Sequence, residues 1–147
     1  MRALILSDSH SRKLNLNALE YDYIIHAGDH GSSLKQLKEA RAIYVRGNCD
    51  LSGPNEEIVT INGIRVFITH GHLYNVKMDY MRLIYRAMSL ECKICIFGHT
   101  HIQEFFIRNG IAFINPGAYK DNNYAEIIAN EVIFHNNDKI IKKSLEE

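Results

Sequence analysis

Five short apolar runs of this chain each end in residue types that bind metal ions. The runs are "ALILSD", "YIIHAGD", "AIYVRGN", "VFITHG" and "ICIFGHTH", and the possible ligands at or just beyond their ends are Asp8, His10, Asp29, Asn48, His70, His99 and His101. Any one of them has an ordinary explanation, because an Asp after a strand often caps a helix and a single His more often fills space than binds metal. The repetition at five strand ends indicates one common site.

The seven side chains offer more donors than a single ion needs. Four imidazoles, two carboxylates and one amide exceed a structural zinc site and include no cysteine set. They fit two divalent ions about 3.5 to 4 Å apart that share a carboxylate. In the predicted arrangement Asp29 bridges both ions, the first of which also takes Asp8, His10 and His101, and the second Asn48, His70 and His99. Mixed nitrogen and oxygen ligation suits manganese, iron, cobalt or zinc better than calcium.

Charge indicates the class of substrate. The chain carries 17 basic and 17 acidic side chains and no formal net charge, so it lacks the basic field that binds duplex nucleic acid or an anionic membrane. Two divalent ions against two carboxylates nevertheless leave a local positive charge. The expected partner is a small phosphate ester, and the predicted reaction is its hydrolysis by a hydroxide that bridges the two ions.

The elements that position these ligands follow from the pattern of apolar residues. The short runs of branched residues predict strands buried on both faces. Segments 12–20 and 32–39 are polar with leucines at helical spacing and predict short crossover helices, and the longest helix is predicted over 76–90. A stripe in that helix is interpreted as core packing, with a homo-oligomer face as the alternative; it consists of Met78, Met81, Tyr85 and Met88.

The second half of the chain predicts antiparallel pairing. Asn62-Gly63 and Asn109-Gly110 each stand between strand-like runs, which is the strongest local signal for a tight hairpin. Two or three more short strands are predicted after residue 123. With no linker or repeat to divide it, residues 1–147 are expected to form one domain, α/β at the start and antiparallel at the end, with two sheets face to face and helices outside.

Three cysteines are too few for a disulfide framework and favour a reducing compartment. The pair Cys92 and Cys95 flanks "KI" at the start of an apolar run and is interpreted as structural. No signal peptide and no run of about 20 apolar residues is visible, so we expect a cytoplasmic protein without a membrane span.

The ordered motifs "SDSH", "GD", "GNCD", "THGH" and "GHTH", followed by "NPG", resemble those of the calcineurin-like metallophosphoesterases, and within them the small YfcE-type phosphodiesterases. The resemblance runs from residue 4 to about 119. It implies the metallophosphatase fold, a four-layer αββα sandwich of two mixed sheets flanked by helices. It also implies a dinuclear centre often active with manganese, with zinc, iron, cobalt or nickel as alternatives, and supports Asp29 as the bridge.

One position departs from the wider superfamily. Many members have a His after the Asn of "GN", near the leaving oxygen, where this chain has Cys49, as is usual in the YfcE-type group. Asn48, Cys49 and His72 are the predicted catalytic residues, although His72 could instead be a surface loop residue. Because a neutral thiol is a weak acid, we hypothesise a preference for esters whose leaving group needs little protonation.

Other polar residues near the motifs have competing interpretations. Asp50 either orients a ligand His or caps a turn. His26 is expected in the core and His135 at the surface, and His30 is left open.

Two rival functions remain. The same fold serves as a protein-binding scaffold in the retromer coat, and a cyclic-nucleotide phosphodiesterase would be a narrower form of the first prediction. The complete ligand set favours an enzyme over a scaffold, which is free to lose its histidines.

Overall fold

A computed structural model of the protein describes residues 1–137 and 139–146, and it contains two mixed β-sheets. The strands of the first sheet are β1 (Arg2–Leu6), β2 (Tyr23–His26), β3 (Ile43–Tyr44), β9 (Tyr124–Ile128), β10 (Glu131–Asn136) and β11 (Lys139–Ser144). Their order across the sheet is β11-β10-β9-β1-β2-β3. The strands of the second sheet are β4 (Glu56–Ile61), β5 (Ile64–Thr69), β6 (Ile94–Ile96), β7 (Glu104–Arg108) and β8 (Ile111–Asn115). Their order is β4-β5-β6-β8-β7.

Parallel pairing occurs among three strands of each sheet, at one end of the first sheet and in the centre of the second. β1 pairs with β2 and β2 with β3 in parallel, and β5, β6 and β8 do the same in the second sheet, whereas the remaining strands pair in antiparallel fashion. The five strands that precede predicted ligands, β1, β2, β3, β5 and β6, therefore belong to these parallel sets. Their carboxyl ends are where an open α/β sheet leaves backbone groups free to build a site.

The core has one central layer and two outer layers. Alternate residues of β1 show the division: Ala3 and Ile5 pack between the sheets, while Leu4 and Leu6 pack on the outer face with Leu37 of the helix α1 (Leu34–Glu39). The second sheet is covered outside by the helix α2 (Met81–Ser89). The four-layer αββα sandwich predicted from the sequence is confirmed, with thin helical layers.

The predicted helix over 12–20 is wrong. Only a 3-10 helix at Ala18–Glu20 forms in this segment. The backbone of Leu14 is held instead by the side chain of Gln36, whose Oε1 accepts its N–H at 3.0 Å and whose Nε2 donates to its carbonyl at 2.9 Å. Side-chain partners thus satisfy groups that a helix would otherwise pair.

The helix over 76–90 is shorter than predicted, and the interpretation of its methionine stripe as core is wrong. Met78, Met81, Tyr85 and Met88 are 77%, 46%, 61% and 42% exposed. The buried face of α2 consists of Leu83, Ile84 and Ala87, which pack against the aromatic outer face of the second sheet. The helix therefore has two apolar stripes of similar period, and the stripe of smaller side chains is the buried one, whereas the methionine stripe faces outward.

Both Asn-Gly hairpins are confirmed. Asn62-Gly63 joins β4 to β5 and Asn109-Gly110 joins β7 to β8, and all four residues have positive φ, as the favoured two-residue hairpin turn requires. Three strands follow residue 123, in agreement with the prediction.

His135 is not the surface turn residue that the sequence predicted. It lies in β10, stacks on Tyr124 with ring centroids 4.4 Å apart, and places Nε2 2.6 Å from Oε1 of Glu126. Glu126 also accepts a hydrogen bond from the Tyr21 hydroxyl at 2.6 Å. The Glu126 carboxylate in β9 therefore links His135 of β10 to Tyr21, which follows the 3-10 helix at Ala18–Glu20.

Cys92 and Cys95 are buried and unbonded to one another, as a structural role implies. In the described part of the chain, no helix is both long and apolar enough to span a membrane.

Candidate metal centre

The predicted ligands lie on loops that leave the parallel strands in strained backbone conformations. Five of the seven have positive φ, between 50° and 73°: Asp8, His10, Asp29, His99 and His101. Residues with a side chain adopt this region rarely and at an energetic cost, so surrounding contacts must hold them there. Such backbone conformations cluster at functional sites because they orient side chains in directions that a regular helix or strand does not allow.

Glycines allow these loops to approach one another. A Cβ added at Gly98 would stand 2.7 Å from Oδ2 of Asp8 and would overlap Oγ of Ser7. A Cβ at Gly47 would overlap the carboxylate of Asp29. The sequence "GN" and "GH" at these two positions therefore serves close packing against the ligands.

The first group of ligand atoms consists of Asp8, His10 and His101. Nε2 of His101 lies 3.2 Å from Oδ1 of Asp8. The other carboxylate oxygen of Asp8 accepts hydrogen bonds from Ser7 Oγ at 2.6 Å and from the His99 N–H at 3.1 Å. Oδ1 of Asp8 and Nε2 of His10 are buried, and none of the described residues gives either atom a hydrogen bond. Two such orphaned atoms are expected where a cation completes the site.

The second group consists of Asp29, His70 and His99. The Nδ1–H of His70 donates to the carbonyl of Ala27 at 2.7 Å, which fixes the ring so that Nε2 faces the centre. That Nε2 lies 3.2 Å from Asp29 Oδ2, 3.1 Å from Asn48 Oδ1 and 3.2 Å from His99 Nδ1. These atoms all carry lone pairs, so a cation or a proton must sit among them.

The two groups of ligand atoms lie next to each other. Nε2 of His70 lies 3.7 Å from Oδ1 of Asp8, which belongs to the first group. A third set, His10, Asp29 and Cys49, contains one member of each group. Asp29 is therefore placed where a bridging carboxylate would stand, and the donor set fits two divalent cations. Its function as the bridge stays a prediction.

The pKa values of the ligand groups are shifted by one another and by burial. Burial alone would lower the pKa of His70, but the hydrogen bond to Asp29 and the charge of Asp8 outweigh it and raise the pKa. Burial also favours the neutral form of Asp29, yet His70 and the Cys49 N–H hold its pKa below the ordinary value. Burial, with the nearby charge of His70, lowers the pKa of His99 to about 4. Metal binding at His70 therefore competes with a proton that these contacts favour, whereas the lowered pKa of His99 favours its neutral, metal-binding form.

The three predicted catalytic residues line the same place. Asn48 and Cys49 are exposed, and the Cys49 N–H donates to Oδ1 of Asp29 at 2.9 Å. His72 opens a 3-10 helix at His72–Tyr74, with its ring centroid 5.5 Å from that of His70 and 6.1 Å from that of His99. Its position beside the second group favours a contact with substrate over an isolated surface role, but that role stays a prediction.

Asp50 does more than either interpretation from the sequence allowed. Its buried carboxylate accepts N–H groups from both ligand loops: Gly47 and Asp29 at 2.8 Å, Gly31 at 3.0 Å and His30 at 3.3 Å. The His30 ring also lies against it, with Nε2 3.3 Å from Oδ2. Asp50 thus ties the loop that carries Asp29 to the loop that carries Asn48. In the sequence, the only feature that indicated this role was the position of Asp50 at the end of the motif "GNCD".

Asn115, the first residue of the motif "NPG", is a second support of the ligand loops. It is fully buried, and its Nδ2 donates to the Gly98 carbonyl at 3.2 Å and to Thr100 Oγ1 at 3.0 Å. Its Oδ1 accepts the Gly117 N–H at 2.9 Å. The side chain, rather than the backbone, therefore holds the loop between His99 and His101.

Comparison with known sequences agrees with this geometry. A family model described as "Calcineurin-like phosphoesterase superfamily domain" matches residues 1–138. The chain is 35% identical over 130 residues to the "Probable metallophosphoesterase YsnB" of Bacillus subtilis, which covers 82% of this chain and 76% of that protein.

Solved structures extend the likeness to the whole fold. A protein of Streptococcus pneumoniae described as a predicted phosphoesterase superposes with a TM-score of 0.83 and 25% identity over 97% of each chain. Vacuolar Protein Sorting 29 from Cryptosporidium parvum superposes with a TM-score of 0.78 over 99% of this chain and 98% of that one, at 20% identity, which shows the fold alone.

Proposed function

The chain belongs to the calcineurin-like phosphoesterase superfamily, in its small YfcE-type group, and on this premise we propose that it hydrolyses small phosphate esters, with phosphodiesters as the preferred class. The observation that carries the proposal is the convergence of two Asp and His groups around Asp29, with buried ligand atoms that have no hydrogen-bond partner among the described residues. A scaffold needs no such convergence, because unpaired buried polar atoms only cost stability.

Each side chain of the site has a separate role in the proposed reaction. Two divalent ions, manganese first among the candidates, would supply a water of lowered pKa and positive charge for the phosphoryl oxygens. Asp29 would hold the two positions at a fixed separation. Asn48 and His72 stand on the exposed side of the second group, where a phosphoryl oxygen would approach, and would orient it by hydrogen bonds.

Cys49 would face the leaving group if it occupies the position of the histidine in the wider superfamily, and it is poorly suited to protonate that group. Burial raises the pKa of its thiol, and the neighbouring Asp29 raises it further. Such a thiol transfers a proton weakly at neutral pH. We therefore expect aryl esters, whose leaving groups need little protonation, to react far better than alkyl esters. The ratio of aryl to alkyl diester rates in Cys49→His and Cys49→Ser variants checks this, and an unchanged ratio in both would contradict it.

The first experiment measures hydrolysis of bis(p-nitrophenyl) phosphate by metal-stripped protein to which manganese is returned. The test variant is Asp29→Asn, and the matched control is Asp22→Asn, an exposed carboxylate that accepts one backbone N–H from Arg2. We expect manganese-dependent cleavage that Asp29→Asn loses and Asp22→Asn keeps. The monoester p-nitrophenyl phosphate, run beside it, decides between phosphodiesterase and phosphatase.

The scaffold alternative has its own signature in this assay. Two metal ions bound per chain, without turnover of either substrate under manganese, zinc, iron, cobalt or nickel, would overturn the proposed hydrolysis. A protein-binding function would then be the better explanation of the fold.

A further inference from the structure

Cys49 stands in a set of donors that differs in chemistry from the two groups described above. Its Sγ, a ring nitrogen of His10 and a carboxylate oxygen of Asp29 all lie within 4.8 Å of one another. We propose that these three side chains form a site for a thiophilic divalent cation, such as zinc or cadmium, which excludes the first activating ion. The site overlaps the predicted dinuclear centre but adds a sulfur ligand that the centre does not use.

Asp29 is buried, and so is one ring nitrogen of His10, whereas Cys49 is exposed. Asp29 is only 3% exposed, and its Oδ1 already meets the backbone of Cys49, whose N–H donates to it at 2.9 Å. Nε2 of His10 is buried, and it has no hydrogen-bond partner in the described part of the chain. The thiol therefore has beside it a buried carboxylate and an imidazole, one ring nitrogen of which receives no hydrogen bond from the described residues.

The donor set selects the ion. One sulfur, one nitrogen and one oxygen suit tetrahedral zinc or cadmium, whereas manganese and magnesium are harder ions that favour oxygen ligands over sulfur. Around zinc with bonds of about 2.0 to 2.3 Å, tetrahedral donor atoms stand roughly 3.3 to 3.8 Å apart. The set must therefore contract by no more than about 1.5 Å, and Cys49, the exposed member, is held at its Sγ, among the described residues, only by a contact with the Asn48 amide at 3.6 Å.

Binding at this site is a simple ligand exchange. The cation forms a bond to the sulfur of Cys49, the thiol proton leaves to solvent, and no electron is transferred. His10 can give its free lone pair to only one ion. A thiophilic ion held by Cys49 and His10 therefore competes with the manganese that would use the same imidazole.

Cadmium reports the sulfur bond directly, through the ultraviolet charge-transfer absorption of a cadmium thiolate. Metal-free protein is titrated with cadmium as wild type, as Cys49→Ser and as the matched control Cys92→Ser. Cys92 is buried, lies outside all three donor sets, and makes a bond to the Ala87 carbonyl that a serine can keep. We expect an absorption that saturates at one cadmium per chain in wild type and control, and that Cys49→Ser lacks. A His10→Gln variant should keep the band but need at least tenfold more cadmium.

Competition completes the test. Excess manganese should reduce the cadmium band, and cadmium should release the first manganese from wild type at a lower cadmium concentration than from Cys49→Ser. A band that survives in Cys49→Ser, or its absence from wild type, would overturn the proposal. The inference rests on the proposed function in one respect: it takes His10 and Asp29 to be ligands of the first ion. Because the absorption requires no turnover, failure of ester hydrolysis leaves this result readable on its own.

Discussion

Replacing Asp50 by Asn tests whether one carboxylate holds the two ligand loops together. Its two oxygens accept four backbone N–H groups, those of Gly47, Asp29, His30 and Gly31, at 2.8 to 3.3 Å. Asparagine has one acceptor oxygen and one NH2 donor. If its oxygen keeps the three amides that share Oδ2, its nitrogen is directed at the Gly31 N–H, which loses its partner.

The expected loss of stability follows from these contacts. Gly31 is exposed, so its N–H can turn to water and only the net value of its hydrogen bond is lost, about 0.5 to 1.5 kcal/mol. The three remaining bonds lose the strengthening of an ionised acceptor, which roughly doubles a hydrogen bond, so each weakens by about 0.5 to 1 kcal/mol. Together these contributions lower the free energy of unfolding by roughly 2 to 5 kcal/mol, or about 8 to 20 °C in Tm for a chain of this size. Because Asp29 and Asn48 lie on the loops that separate, manganese affinity should also fall, by about 10- to 100-fold.

The assay pairs thermal unfolding of metal-free protein with calorimetric titration of manganese. Asp22→Asn is the matched control, because it makes the same chemical change at an exposed carboxylate with a single backbone partner. We expect the control to unfold like wild type and to bind manganese with wild-type affinity. If Asp50→Asn changes Tm by less than about 2 °C and binds manganese normally, the cross-linking role assigned to Asp50 is wrong.

Three further outcomes are expected. Gly98→Ala should remove at least one manganese site per chain, measured by titration, because its Cβ would stand 2.7 Å from a carboxylate oxygen of Asp8. Leu83→Ala should lower the free energy of unfolding in urea by about 2 to 5 kcal/mol, whereas Met81→Ala should change it by under about 0.5 kcal/mol, because only Leu83 is buried. Burial would raise the pKa of Glu126, but its hydrogen bonds lower it below 4.5, so their stabilisation is present above pH 4.5 and lost as pH falls further. Glu126→Gln should therefore show a weaker dependence of stability on pH below 4.5.

Short-range features of the fold could be predicted because neighbouring residues determine them. The turn at Asn62-Gly63 is an example: its two residues adopt positive φ readily, and they join apolar runs of strand length. The order of the ligands along the chain could be predicted for a similar reason. Parallel strands bring their carboxyl ends to one edge, so Asp8 and Asp29 were expected at one site wherever their strands paired.

Long-range contacts could not be predicted in the same way. The stripes of α2 that contain Met81 and Leu83 have nearly the same period, and only the neighbouring sheet decides which is buried. The segment before Ala18 has leucines at helical spacing, yet Gln36 bonds the backbone of Leu14 across 22 positions and replaces the helix. Burial and hydrogen-bond partners belong to pairs of distant residues, so a local pattern leaves them open.

The amino-acid sequence by itself determined which donors are available and in what order they come: two aspartates, four histidines and one asparagine, each after an apolar run. Only the tertiary structure decided their geometry. It divided the donors into two groups, placed Asp29 beside both Cys49 and His70, and used Asp50 to lock the loops in register. The physical reason is that a metal site needs lone pairs brought within a few ångströms, and in this chain packed sheets and buried hydrogen bonds between distant segments hold them there.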